Sequence, residues 1–164
     1  MARTIVLSKL TVQARSRQEL EQALEAKAVP ADVATRVLDR LTEVGLVDDE
    51  AFAGSWVHSR RKNRGLGRRA LSYELRRKGV DEELIRETLD QVTPEDEQET
   101  AAVLVRRKLR SMGGLSREVQ VRRLAGMLAR KGFGAGMAMS VIRKELRRGA
   151  ATDVPEHTTW TNDY

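Results

Sequence analysis

The sequence predicts an all-α fold: three tandem three-helix repeats in an elongated, curved, solenoid-like arrangement. Three observations carry this reading. First, the pattern Leu-x-x-x-Leu-x-x-Lys-small-apolar occurs at Leu20, Leu71 and Leu124, without gaps and at offsets of 51 and then 53 residues. Self-similarity at such a period marks helical repeats. Val33, Leu84 and Met137 extend the match, as do Leu38, Leu89 and Ile142. Second, apolar residues within each copy fall three and four apart, the spacing of one helix face. Third, three Pro and 4% aromatic residues are too few for the turns and ring-bearing strands of a β-sandwich.

The first repeat, residues 1–45, opens with a weak helix from Ile5 to Ala14. Ser16, with Glu19 three residues on, forms a capping box that starts the second helix, whose buried stripe is Leu20 and Leu24. After the break at Ala28-Val29-Pro30, Pro30 or Asp32 opens a third helix through Val33, Val37, Leu38 and Leu41, and Gly45 stops it. The second repeat, residues 48–92, begins with Asp48 or Asp49 as N-cap of a helix carrying Phe52, Trp56 and Arg60 at four-residue spacing. Gly65-Leu66-Gly67 ends that helix, Leu71 and Leu75 line the next, and Gly79 closes it in a left-handed cap. Asp81 caps the third helix, with Leu84, Ile85 and Leu89.

The third repeat, residues 93–148, opens at Thr93-Pro94, a cap followed by Pro at the first helical position. Its first helix carries Val103, Leu104 and Leu109 towards Gly113-Gly114. Ser116 caps the second and Gly132 ends it, and Met137, Val141, Ile142 and Leu146 form the last stripe. Residues 149–164 read as a loose polar tail. A unit of this size holds a small core, so the repeats should share contacts.

Composition excludes several kinds of chemistry. The chain has 164 residues and no Cys, which removes a disulfide framework, thiol catalysis and a Cys-based zinc site. The two histidines, His58 and His157, lie far apart in the chain. No apolar run approaches the roughly 18–20 residues of a membrane span, and Ile5-Val6-Leu7 is too short for a secretory segment; a cytoplasmic location is expected. Gly65-x-Gly67-x-x-Ala70 follows a basic helix rather than a strand, so it reads as a helix–helix turn and not as a dinucleotide site. Asp48-Asp49-Glu50 reads as helix capping before metal binding. Phe52 and Trp56 read as core anchors, and Trp160 and Tyr164 take no role. No catalytic residue, cofactor or metal is expected.

Charge is arranged in blocks. The net charge of +6 conceals a stretch from Arg60 to Lys78 with nine bases against Glu74. A second basic stretch runs from Arg106 to Lys131, and the nine carboxylates between Asp81 and Glu99 separate the two. Arg dominates, and its planar fork suits phosphates and carboxylates. The candidate binding residues are therefore Arg60, Arg61, Lys62, Arg64, Arg68, Arg69, Arg76 and Arg77 in the first block, and Arg106, Arg107, Arg110, Arg122 and Arg123 in the second.

The run Gly45-Leu46-Val47-Asp48-Asp49-Glu50-Ala51-Phe52-Ala53 through Trp56-Val57-His58-Ser59-Arg60, then Arg64-Gly65-Leu66-Gly67, then Leu75-Arg76-Arg77-Lys78-Gly79-Val80-Asp81 resembles the RecX family of bacterial regulators of the RecA recombinase. Leu124 to Phe133, followed by Val141-Ile142-Arg143, looks like that family's last repeat. The resemblance covers about Thr11 to Arg148 and implies tandem three-helix repeats. It also implies a non-enzymatic monomer that binds the RecA filament on DNA, in its helical groove, and suppresses ATP hydrolysis, strand exchange and filament growth in DNA repair, recombination and the SOS response. Single- or double-stranded DNA is the second expected partner. The competing expectation is a sequence-nonspecific DNA-binding protein acting through its basic helices.

Overall fold

A computed structural model describes residues 1–152 as nine helices joined by short turns, with no strand among them. In chain order these are α1 (Ala2–Val12), α2 (Arg17–Ala26), α3 (Ala31–Glu43), α4 (Asp49–Arg64), α5 (Arg68–Arg77), α6 (Glu82–Asp90), α7 (Pro94–Leu109), α8 (Arg117–Arg130) and α9 (Ala135–Thr152).

The capping chemistry foreseen in the sequence sets most of these ends. Ser16 and Glu19 form the reciprocal capping box of α2, Asp48 accepts from the Ala51 N–H to start α4, and Thr93 accepts from Asp96 with Pro94 behind it. Asp81 and Ser116 cap α6 and α8 in the same way. Three ends differ from expectation. Helix α1 starts at Ala2 and stops at Val12, because the Met1 carbonyl already accepts from Ile5 and Gln13 is extended. Helix α7 stops at Leu109, where successive tight turns through Met112 replace its last expected residues. Helix α9 continues through Gly149, with the Thr152 hydroxyl bonded back to the Arg148 carbonyl at 2.7 Å, so the residues expected to begin a tail are helical. Trp160, Tyr164 and His157 lie outside the described residues.

Each group of three helices encloses its own core. Val6, Leu20, Leu24, Leu38 and Leu41 centre the first. Phe52, Val57, Leu71, Leu75, Ile85 and Leu89 centre the second. Val105, Leu124, Leu128, Phe133 and Ile142 centre the third. The period-50 pattern thus records three equivalent cores rather than one shared interior.

The repeats join where one middle helix meets the next, end to end. At the boundary of the second and third repeats, the Gly67 N–H donates to the Lys131 carbonyl at 2.8 Å and the Arg69 N–H donates to the Gly132 carbonyl at 3.1 Å. Unpaired amides at the start of α5 thereby meet unpaired carbonyls at the end of α8. Between the first and second repeats, the Ser16 hydroxyl at the start of α2 donates to the Lys78 carbonyl at the end of α5 over 2.6 Å. The helices α8, α5 and α2 therefore stack head to tail, with their dipoles aligned.

A second contact recurs with the repeat. The Arg17 N–H donates to Asp49 at 2.9 Å, and the equivalent Arg68 N–H donates to Glu97 at 3.1 Å. The opening turn of each following repeat thus caps the middle helix of the one before. Gly132 permits a close approach of backbone to backbone: its φ is +91° and an added Cβ would strike Ala70.

Gly132→Ala should lose at least about 1–2 kcal/mol of stability from the left-handed backbone alone, measured by urea unfolding. Gly54→Ala, inside α4 and facing open space, should gain about 0.5–1 kcal/mol. Leu75→Ala, at a fully buried position, should cost about 2–5 kcal/mol; an unchanged melting curve would contradict the core assignment.

Candidate partner-binding surface

The basic residues divide into those that hold the fold and those that remain available. Arg17 pairs with Asp39 at 2.6 Å, and Arg68 repeats that bond one unit later with Asp90 at 3.2 Å. Arg68 also donates to the Leu89 carbonyl at 2.7 Å, closing the end of α6. Arg60 reaches across from α4 to clasp Glu74 on α5, its Nε and Nη2 donating to the two carboxylate oxygens at 2.9 and 2.5 Å. Arg106 holds Glu145 through two bonds of 2.9 and 3.2 Å, and Glu145 is only 4% exposed. Arg76 is tied to Glu82. Four candidates from the sequence, Arg60, Arg68, Arg76 and Arg106, are thus engaged within the chain, because a carboxylate one helix away neutralises each more cheaply than a distant partner.

Trp56 packs against the second core, as expected of a core anchor, and makes polar contacts as well. It is half-buried at the rim of the second core, with its ring stacked on Phe52 at 5.8 Å between centroids. Its indole N–H donates to Glu74 at 2.9 Å. Arg60 and Lys78 approach the same ring at 5.0 and 4.9 Å. The sequence marked this residue as a core anchor; what it did not show is that its polar edge finds Glu74, eighteen residues away, on the next helix.

The available cations form a groove at the junction of the second and third repeats. Arg61, Lys62 and Arg64, from the last turn of α4, share it with Arg107 of α7 and with Lys131. Its volume is about 340 Å³, and Val103 and Leu104 add an apolar lining. Two bonds brace the groove: Lys131 Nζ to the Arg64 carbonyl at 2.9 Å, and Arg61 to the Thr100 hydroxyl at 3.2 Å. Lys62, Arg64 and Arg107 are exposed and without a carboxylate partner among the described residues. Lys131, missed as a candidate, is legible as the third copy of the repeat's Lys, after Lys27 and Lys78.

The other candidates lie elsewhere. Arg69 faces a shallow surface shared with Arg86 on the opposite side of α5. Arg77 covers the Tyr73 ring at 5.8 Å. Arg110, Arg122 and Arg123 are exposed on the third repeat.

Three carboxylates carry lowered affinities for protons: Glu74, Glu19 and Glu82, the last through its bond to Arg76. The Arg60 guanidinium holds the Glu74 carboxyl below its ordinary value, with help from the Trp56 N–H and against the effect of burial. Burial pushes Glu19 upward, but Lys78, at 2.6 Å, and the Ser16 N–H together bring it below the usual range. Among the described residues no three metal-ligating side chains gather; Asp48 and Asp49 are occupied as helix caps. No described helix is long and apolar enough to cross a membrane.

Residues 2–41, 48–89 and 95–142 match the sequence models of the first, second and third three-helix domains of RecX, respectively. The chain is 49% identical over 155 residues to the regulatory protein RecX of Thermobifida fusca, covering 94% of this chain and 84% of that protein. It is 52% identical over 145 residues to the regulatory protein RecX of Streptomyces coelicolor, covering 88% and 77%. A crystal structure of RecX from Lactobacillus salivarius superposes with a TM-score of 0.83 at 20% identity, over 89% of this chain and 95% of that one. A second crystal structure, of a regulatory protein RecX, gives 0.78 at 26% identity, over 88% and 70%.

Because the folded pKa values of Glu74 and Glu19 are lowered, their stabilising contribution is complete above the unfolded value of about 4.3 and disappears as pH falls through the folded values. The melting temperature should therefore drop on acidification below about pH 4.3, and Glu74→Gln should shrink that drop. Arg106→Ala should lower the melting temperature by leaving buried Glu145 only the longer 3.6 Å contact with Arg148, whereas Arg107→Ala should leave it unchanged. Equal effects of the two would erase the division between structural and available cations.

Proposed function

The chain belongs to the RecX family of regulatory proteins, and from that premise we propose that it regulates the RecA recombinase by binding the RecA–DNA filament. It lies along the filament's helical groove and suppresses ATP hydrolysis, strand exchange and filament growth during DNA recombination and repair. The observation that best supports this reading is the head-to-tail stack of α8, α5 and α2, which lines up three small cores in series. A body of that kind offers similar surfaces at successive positions. A helical polymer repeats its own surface in the same fashion, so several modest contacts reinforce one another through effective concentration.

The free cations supply the complementary charge. Lys62, Arg64 and Arg107 sit in the groove between the second and third repeats, where they face acidic protein surface or phosphates. Regulation then needs no catalytic group. Occupancy alone denies the second DNA strand its place and holds neighbouring protomers against the motion that accompanies ATP turnover.

The exposed guanidinium groups also favour a second reading, sequence-nonspecific binding to DNA phosphates. The two differ in their response to salt. Phosphate binding weakens steeply with ionic strength and shows no preference between bare and RecA-coated strands; filament recognition prefers the coated strand and persists at higher salt.

In an assay of RecA-dependent ATP hydrolysis on single-stranded DNA, the protein should suppress turnover. The double variant Arg64→Glu/Arg107→Glu should need about tenfold or more protein for equal suppression, the weight of a central charged contact. Full suppression by that variant, with unaltered helix content, would remove the groove from the proposal.

A further inference from the structure

A second cleft, distinct from the cationic groove, opens along the exposed side of α5. It has a volume of about 590 Å³ and takes residues from all three repeats: Gln22 on α2, Tyr73 and Arg77 on α5, and Arg130 at the end of α8. Leu66 and Ala70 contribute an apolar floor. We propose that this cleft is an anchoring pocket for an acidic protein segment, one that sets an apolar side chain against Tyr73 while a neighbouring carboxylate meets Arg77 and Arg130.

Charge bookkeeping within the cleft favours this occupant. Its rear charges are closed on one another, Arg60 with Glu74 at 2.5 Å and Lys78 with Glu19 at 2.6 Å. Arg77 and Arg130 are exposed and have no carboxylate partner among the described residues. The cleft therefore presents two unsatisfied cations, one exposed tyrosine and a small apolar floor. Tyrosine and arginine around a pocket are the composition of a protein-interaction hot spot.

Nucleic acid fits this place less well. A strand needs a continuous track of cations matched to successive phosphates. Here the cations of the rear wall are already taken by Glu74 and Glu19, so a phosphate that enters deeply finds no free partner. A side chain anchored at the rim, carrying its carboxylate beside an apolar body, needs only Arg77 and Arg130.

Tyr73 is 58% exposed. It is the one exposed aromatic ring among the described residues, where Phe52 and Phe133 are buried and Trp56 is tied to Glu74. Its position is stabilised from one side by the Arg77 guanidinium, which pre-orders both groups before a ligand arrives.

The inference rests on the filament-binding reading for the identity of the partner, but the pocket can be examined without it. Tyr73→Ala and Arg130→Gln alter exposed side chains and should retain wild-type melting temperatures. Each should weaken binding to RecA filaments on labelled poly-dT by about tenfold, while binding to the bare strand changes less than about twofold. A labelled peptide of alternating Glu and Leu should bind the wild-type protein and lose affinity for both variants, and its Gln–Leu counterpart should bind more weakly. Unaltered filament and peptide binding by both variants overturns the inference. So does an equal loss on bare poly-dT, which would reassign the cleft to nucleic acid. A wild-type protein that ignores the filament refutes the regulatory reading, and the peptide measurement still decides the cleft.

Discussion

Backbone groups left over at helix ends must find partners, and in this chain they find them across repeat boundaries. The carbonyls that close α8 receive amides from the start of α5, and the carbonyl at the end of α5 receives the Ser16 hydroxyl ahead of α2. Each repeat is too small to stand on a large core of its own. The joint therefore does two things at once: it satisfies polar groups that would otherwise stay bare, and it orders the three cores into a series. Everything proposed about binding a long polymer depends on that seriality.

The same logic explains why so many arginines are unavailable. Arg17 and Arg68 occupy equivalent positions and perform equivalent tasks, each bridging from the middle helix of its repeat to an acid on the third. Arg60 and Arg106 tie their helices to Glu74 and Glu145. A basic block in sequence is thus a mixture of internal struts and outward charge. Only the second kind is free to meet a partner, and part of it gathers where α4 ends beside α7.

Much of this was legible before any coordinates. The Leu-x-x-x-Leu-x-x-Lys recurrence placed the three middle helices, and Ser16, Asp48, Asp81, Thr93 and Ser116 marked helix starts through their short-range hydrogen bonds. Such signals are local, so a sequence displays them directly. The fate of individual arginines is not local: Glu74 lies fourteen residues beyond Arg60, and Glu145 lies thirty-nine beyond Arg106. One of these pairings did leave a trace. Arg17 with Asp39 and Arg68 with Asp90 share a spacing of twenty-two residues in two aligned repeats, which marks Arg68 as structural. Trp56 left none, since its indole partner sits on another helix.

The two joints, though alike in position, are made of different material. Between the second and third repeats the bonds run from main chain to main chain, with Lys131 reaching a carbonyl. Between the first and second, a hydroxyl and the Lys78–Glu19 ion pair carry much of the connection. Dissolved electrolyte attenuates attraction between opposite charges and scarcely touches bonds between neutral amides and carbonyls. The leading joint therefore leans more on charge than the rear one, and the partial burial of Lys78 and Glu19 shelters that charge from the surrounding electrolyte.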